Sequence, residues 1–313
     1  MYTYGNVAHG SRIGKLFFLT IGGVSFLLLI FWLVRRTNSN IISPIPDNPK
    51  QEKSVVSAIF TKKKSPDKLG KQIQKVVNNR WVNYSVFVED YKSDFSLGIN
   101  ESVIYTAASV NKLPILTALY YNVEKGDIDL DRVITLQKSD IQNYGTGSIR
   151  YDTPGATYSI KTLAKLMIQQ SDNTAAYILA NNIVGIDDIQ TLMTSWGLTQ
   201  TDMANNKTSN RDIAILMKKL YNRQVAGEAY TLEMLSFLKD TDFEDRLPAL
   251  LPDTAVVYHK IGTEVGVLHD TGIVVDGNMI YYIGILTTDE NNDEEATQIA
   301  SQISKTVYDY MKQ

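Results

Sequence analysis

Ser109 and Lys112 lie three residues apart in the run from Tyr105 to Leu116. On a helix, positions i and i+3 share one face, so the hydroxyl and the amine can meet. A serine hydroxyl is a poor nucleophile unless a neighbouring base takes its proton. A lysine can be that base once burial or a second positive charge lowers its pKa. Leu113, Ile115 and Leu116 follow at once, which suits a buried helix whose first turn faces a cleft. The spacing alone is not distinctive, because S-x-x-K recurs at Ser65–Lys68 and Ser236–Lys239.

Two further runs change the odds. Ser171-Asp172-Asn173, the only S-D-N in the chain, begins 62 residues after Ser109, between two helical patterns. Lys260-Ile261-Gly262-Thr263 follows 89 residues later at the end of a strand pattern. K-x-G also occurs at Lys68–Gly70, so each run is weak by itself. All three in this order, each at an element end, are a strong signal of a shared site.

The elements that must carry these runs can be read from periodicity. Leu69, Ile73, Val76 and Val77 fit an amphipathic helix from Pro66 to Asn79. Alternation predicts strands at 81–89 and 95–99, around a turn at Asp90–Asp94. Helical patterns follow at 111–123, 160–170, 172–183, 186–195, 209–221 and 230–239, with turns at Gly145–Ser148 and Pro154-Gly155. Strands return at 255–261, 270–275 and 279–286, the last pair joined by Asp276-Gly277, and a helix from Glu294 to Met311 closes the chain. No internal repeat is present. The expected fold is α+β: an antiparallel sheet of about five strands flanked by N- and C-terminal helices, with an all-helical subdomain at about 110–240.

Composition bounds the chemistry. The chain has 313 residues, ample for a core, and no cysteine, which excludes disulfides, cysteine-ligated zinc and a catalytic thiol. Its three histidines, His9, His259 and His269, are too scattered to suggest a metal site, so no metal or cofactor is expected. The net charge of −3 hides an asymmetry. Residues 35–80 hold eleven Lys/Arg against three Asp/Glu, whereas residues 81–313 hold eighteen against thirty-one. An acidic globular part argues against nucleic acid as the main partner. The basic stretch fits anionic lipid, wall polymer or a solvated linker equally well.

Leu16 to Val34 are nineteen residues without a charge, ending at Arg35-Arg36, and Trp32 lies where an interfacial aromatic would sit. No small-x-small cleavage pattern follows, so residues 1–36 read as an uncleaved membrane anchor. Each flank carries two basic residues, and charge therefore does not orient it. Residues 37–65, punctuated by Pro44, Pro46 and Pro49, read as a linker.

From Pro66 onward the chain resembles the class A β-lactamase and penicillin-binding protein group of serine acyltransferases. The resemblance rests on the three runs and on Gly145-x-Gly147, Ser171–Ala176, Thr208-Ser209-x-Arg211-Asp212 and His269-Asp270-x-Gly272-Ile273. It implies that Ser109 attacks a β-lactam or D-alanyl amide carbonyl and that Lys112, lowered in pKa by Lys260 and burial, takes the proton. Ser171 would relay a proton to the departing nitrogen, and Asn173 would hold the substrate's side-chain amide. The Ser109 and Thr263 N–H groups would form the oxyanion hole, while Gly262 lets the strand approach the substrate. Asp172 would brace its loop. The implied protein is a monomeric, membrane-tethered serine hydrolase with its catalytic domain, 66–313, outside the cytoplasm.

Two departures bear on the activity. Relatives of the β-lactamase type carry a long loop whose glutamate activates the deacylating water. Here Leu198 to Lys207 fills that gap, and Asp202 is its single carboxylate. Ile261 stands where the K-T-G run usually has a hydroxyl, with Thr263 on the same strand face as the partial substitute. The leading expectation is a β-lactamase that hydrolyses the β-lactam amide; the alternative is a slowly deacylating penicillin-binding D-alanyl peptidase, and a non-catalytic wall-binding module comes last. Pro114, early in the nucleophile's helix, is expected either to distort it or to be tolerated near its start. A Ser–His–Asp triad through His269-Asp270 is disfavoured, because no G-x-S-x-G elbow exists. Tyr144 is either a cleft wall or an exposed loop residue.

Overall fold

The computed structural model describes residues 64–289 and 292–313, which lie in a compact unit spanning Lys62–Gln313. The anchor expected at 16–34, and the expected linker up to residue 63, lie outside the described residues. Among the described residues no helix is long and apolar enough to cross a membrane.

The fold is α+β. Five antiparallel strands, β1 (Asn83–Asp90), β2 (Ser96–Ile99), β7 (Val256–Glu264), β8 (Val267–Asp276) and β9 (Met279–Thr288), form one sheet in the order β2-β1-β9-β8-β7. β1 therefore pairs with the strand from the far end of the chain, Val86 opposite Ile285, and β7 is left as an edge. Alternation along the strands sorts their side chains into two cores. Val86, Val88, Tyr281, Ile283 and Ile285 pack against helices α1 (Pro66–Val77) and α8 (Asp293–Met311), while Phe87, Ile273 and Tyr282 face the helical subdomain. Along β7 the same period puts His259 and Ile261 on the Val257 face, and Lys260 and Gly262 on the face of the helical subdomain.

That subdomain is built on α2 (Lys112–Glu124), which is buried on nearly all sides, and on α3 (Ile160–Gln169), α5 (Ile186–Ser195), α6 (Asn210–Tyr221) and α7 (Glu228–Phe237). Leu113, Leu116 and Leu119 are fully buried, and truncating one to alanine would cost about 2–5 kcal/mol. The pattern expected as one helix over 172–183 is a short α4 (Asn173–Tyr177) that widens into a π-helical turn at Ile178–Val184. Two small sheets were not foreseen: β3 (Ile104–Thr106) with β6 (Lys207–Ser209), and β4 (Val133–Thr135) with β5 (Thr157–Ser159). β3 and β6 tie the approach to Ser109 to the end of the short loop at 198–207.

Candidate active site

Ser109 lies in a 3-10 turn, Ala108–Asn111, that runs directly into α2 at Lys112. The distortion expected of Pro114 thus lies before it. Pro114 itself falls in the first turn of α2, where a missing N–H is tolerated. Ala108 has φ +47°, a left-handed conformation that costs a non-glycine residue about 1–3 kcal/mol and turns the next side chain sharply. Gly262 explains how the turn is held. A Cβ there would lie 3.0 Å from the Ala107 carbonyl oxygen and 3.1 Å from Val110, so the backbone of β7 packs directly on the nucleophile's turn. The close approach expected of Gly262 is to this turn.

Lys112 is 3% exposed, and its Nζ is ringed by acceptors: Ser109 Oγ at 2.8 Å, Asn173 Oδ1 at 2.7 Å, the Ser171 carbonyl at 2.9 Å and Ser171 Oγ at 3.2 Å. Burial lowers its pKa to about 7, against the opposing charges of Asp172 and Glu264. Burial is therefore the main cause here. The repulsion between the two lysines acts on Lys260, whose pKa lies well below that of an ordinary lysine through its own burial and the Lys112 charge.

Ser171 reaches Lys112 because its backbone is left-handed, φ +54°, immediately before α4. Asp172 braces this turn. Its Oδ1 caps α4 by accepting from Ala175 N at 2.9 Å, and its Oδ2 accepts from Ile149 N at 2.9 Å. The loop around Gly147 crosses so closely that a Cβ there would collide with the Asp172 carboxylate. Asn173 donates from Nδ2 to the Tyr144 carbonyl at 3.2 Å, and its carbonyl end faces Lys112. Tyr144 is 65% exposed and lines the same cleft, so both readings of it hold.

Lys260 lies under the site, buried, with Nζ 3.2 Å from the Ile261 carbonyl and 6.0 Å from the Phe243 ring centroid. Ile261 is buried. Thr263 lines the cleft, and its Oγ1 accepts from Arg246 Nη2 at 2.8 Å, while Arg246 Nη1 holds the His269 carbonyl at 2.8 Å. Arg246, 5% exposed, belongs to no sequence motif and was not foreseen. A local signal, an arginine between acidic Glu244-Asp245 and apolar Leu247, is too common to have found it.

The His269-Asp270 pair forms no triad with Ser109. His269 Nε2 donates to the Thr106 carbonyl at 2.7 Å, its Nδ1 accepts from Thr287 N at 3.2 Å, and burial lowers its pKa to about 4. Asp270 instead grips His259, whose Nδ1 is 2.9 Å from Oδ1, while the Nε2 faces Glu244 at 3.2 Å. Burial works to lower the His259 pKa, but the charge and hydrogen bond of Asp270, joined by Glu244, outweigh it and raise the value to about 9. This fixes the loop that carries Arg246, since Asp270 also accepts from Leu247 N at 3.0 Å.

Comparison with known proteins is consistent with this geometry. Residues 66–311 match the family described as the "Beta-lactamase enzyme family". The chain belongs to this family. It is a serine β-lactamase-like hydrolase of the class A type. Among its relatives, beta-lactamase VEB-1 of Pseudomonas aeruginosa is 23% identical over 78% of this chain and 90% of its own length. A beta-lactamase of Bacteroides uniformis is 26% identical over 78% and 91%. Among solved structures, PBP-A is 29% identical with a TM-score of 0.72, covering 78% of this chain and 96% of that one. A PBP-A mutant solved as an acyl-enzyme complex with penicillin G matches at 28% and 0.73, over 79% and 97%.

Against the pattern expected of a β-lactamase, the short loop is informative. It closes as a tight hairpin through reciprocal 2.9 Å backbone bonds between Asp202 and Lys207. The Asp202 carboxylate accepts from Asn205 N at 2.9 Å and Asn205 Nδ2 at 2.8 Å, and it does not line the cleft. Met203 and Asn206 line it instead. Asp212 anchors the hairpin by accepting from Gln200 N and Thr201 Oγ1, which gives the Thr208–Asp212 run a structural role. Among the described residues no carboxylate hydrogen-bonds to Ser109 or Lys112.

Proposed function

We propose that this chain acylates Ser109 with β-lactams and D-alanyl amides and releases the acyl group slowly, in the manner of a penicillin-binding protein. One observation carries the reading: a single buried amine, Lys112, ties Ser109, Ser171 and Asn173 together, with no carboxylate in the cluster. A neutral lysine amine has two N–H bonds and one lone pair. The Ser171 carbonyl and Asn173 Oδ1 take the two N–H bonds, so the lone pair points at Ser109 Oγ. With a pKa of about 7, roughly half of Lys112 is in this form at neutral pH.

In this reading Ser109 Oγ attacks the amide carbon as its proton passes to Lys112. The oxyanion forms against the N–H groups of Ser109 and Thr263, donors of a kind worth about 3 kcal/mol each. Ser171 Oγ, 3.2 Å from Lys112 Nζ, passes the proton on to the leaving nitrogen. Arg246, donating to Thr263, supplies the charge that suits the substrate carboxylate. Deacylation then lacks the glutamate that relatives carry in a longer loop, and the short loop contributes Met203 and Asn206 to the cleft wall. The acyl-enzyme persists accordingly. The β-lactamase alternative would need a base in place of that glutamate, and Glu264, the carboxylate that lines the cleft, hydrogen-bonds to Asn206 and to neither Ser109 nor Lys112.

The substrates of such a site lie outside the cytoplasm, and the nineteen uncharged residues at 16–34 would tether the monomeric domain there as a single-pass protein. Fluorescent-penicillin labelling of wild type and Ser109→Ala tests the acylation step, and labelling of both or neither would refute it. Membrane fractionation of the full chain beside a variant lacking residues 16–34 tests the tether.

A further inference from the structure

The cleft encloses about 680 Å³. Behind its wall is the Arg246 guanidinium, which donates to Thr263 Oγ1 at 2.8 Å. At the end of β7 is Glu264, the single carboxylate among the residues that line the cleft. It is exposed, makes no ion pair among the described residues, and receives one long hydrogen bond, from Asn206 Nδ2 at 3.3 Å. Asn206 is itself held by Asn111 Nδ2 at 2.8 Å, so the contact positions Glu264 without neutralising it. Its charge is felt at Lys112, which places it within electrostatic reach of the reacting serine. Exposed apolar surface lines the same cleft: Val265, next to Glu264 at the hairpin tip, and Tyr144, 65% exposed.

We infer that Glu264 selects substrates whose acyl-side substituent carries a primary ammonium, with Tyr144 and Val265 covering its apolar part. This rests on the acylation reading above. In the acylation reading the substrate carboxylate meets Arg246, and the acyl substituent is the part left to meet Glu264. A carboxylate left unpaired on a cleft wall attracts a cation and repels an anion. An aminopenicillin and a D-alanyl peptide bearing a free lysine amine present the same group there.

The test is the second-order rate of Ser109 acylation by benzylpenicillin, ampicillin and carbenicillin, whose side chains are neutral, ammonium-bearing and anionic. It is measured on the full chain and on Glu264→Gln at low and high salt. The wild type is expected to favour ampicillin over benzylpenicillin about three- to tenfold, the scale of one partly screened ion pair, and to disfavour carbenicillin. In Glu264→Gln the ratios fall toward one, and high salt does the same to the wild type. Competition by a lysyl-D-alanyl-D-alanine peptide with its side-chain amine free or acetylated separates the two sources, the free amine competing better if the peptide is one. Ratios equal in wild type and variant would overturn the inference while leaving acylation intact. No acylation by any of the three penicillins would instead refute the reading on which it rests.

Discussion

Asn173 Oδ1 lies 2.7 Å from Lys112 Nζ, closer than the 2.8 Å from Ser109 Oγ to the same atom. The asparagine therefore helps aim the amine lone pair in the free protein. Replacing it by alanine removes one acceptor from a buried amine. Acylation by benzylpenicillin should slow about ten- to a hundredfold, the worth of one hydrogen bond to such a group. Stopped-flow acylation of Asn173→Ala checks this, and a rate within twofold of wild type would remove Asn173 from the base's support.

The same amine sets the pH profile. Burial holds Lys112 at about 7, and the neutral form is the base, so acylation should rise with pH up to that value and flatten above it. In Lys112→Ala the rate should fall about a hundred- to ten-thousandfold and lose this inflection. A profile that falls through pH 7 would mean that the protonated amine is the active form.

Asp202 and Met203 are neighbours with opposite placements, the aspartate turned onto Asn205 and the methionine in the cleft. Asp202→Asn should leave the lifetime of the penicilloyl-enzyme unchanged within about twofold. Met203→Glu places a carboxylate on the cleft wall and should shorten that lifetime. Faster acyl loss in wild type than in Asp202→Asn would restore Asp202 as a deacylation base.

The two described histidines should titrate far apart. His259, raised to about 9 between Asp270 and Glu244, lies above the ~6.5 of an unfolded histidine. Its contribution to stability is full below pH ~6.5 and is lost as the pH rises to about 9, an effect on the order of 3 kcal/mol. His269, lowered to about 4, contributes fully above pH ~6.5 and loses that contribution as the pH falls toward 4. Imidazole resonances followed by NMR give both midpoints directly. Both near 6.5 would contradict the buried network.

Much of this was legible in the sequence because it is local. Ser109, Lys112, Ser171 and Asp172 are set by helix starts, and the five main strands by alternation along four to ten residues. What escaped is tertiary. β3 and β6 are three residues long and meet across a hundred positions, too short for alternation to register. Arg246 reaches Thr263 from a loop without periodicity. The acceptor role of Asn173 toward Lys112 follows from a left-handed Ser171 that spacing does not reveal. The other S-x-x-K pairs fall at helix ends: Ser65 precedes α1, and Ser236 lies in the last turn of α7.

The central claim is acylation of Ser109 without a resident deacylation base. Intact-protein mass of the chain mixed with benzylpenicillin, followed over hours beside Ser109→Ala, tests it most directly. The account predicts one penicilloyl adduct on the wild type alone, persisting long after free drug is removed. An adduct lost within seconds as hydrolysed drug accumulates, or no adduct at all, would contradict it.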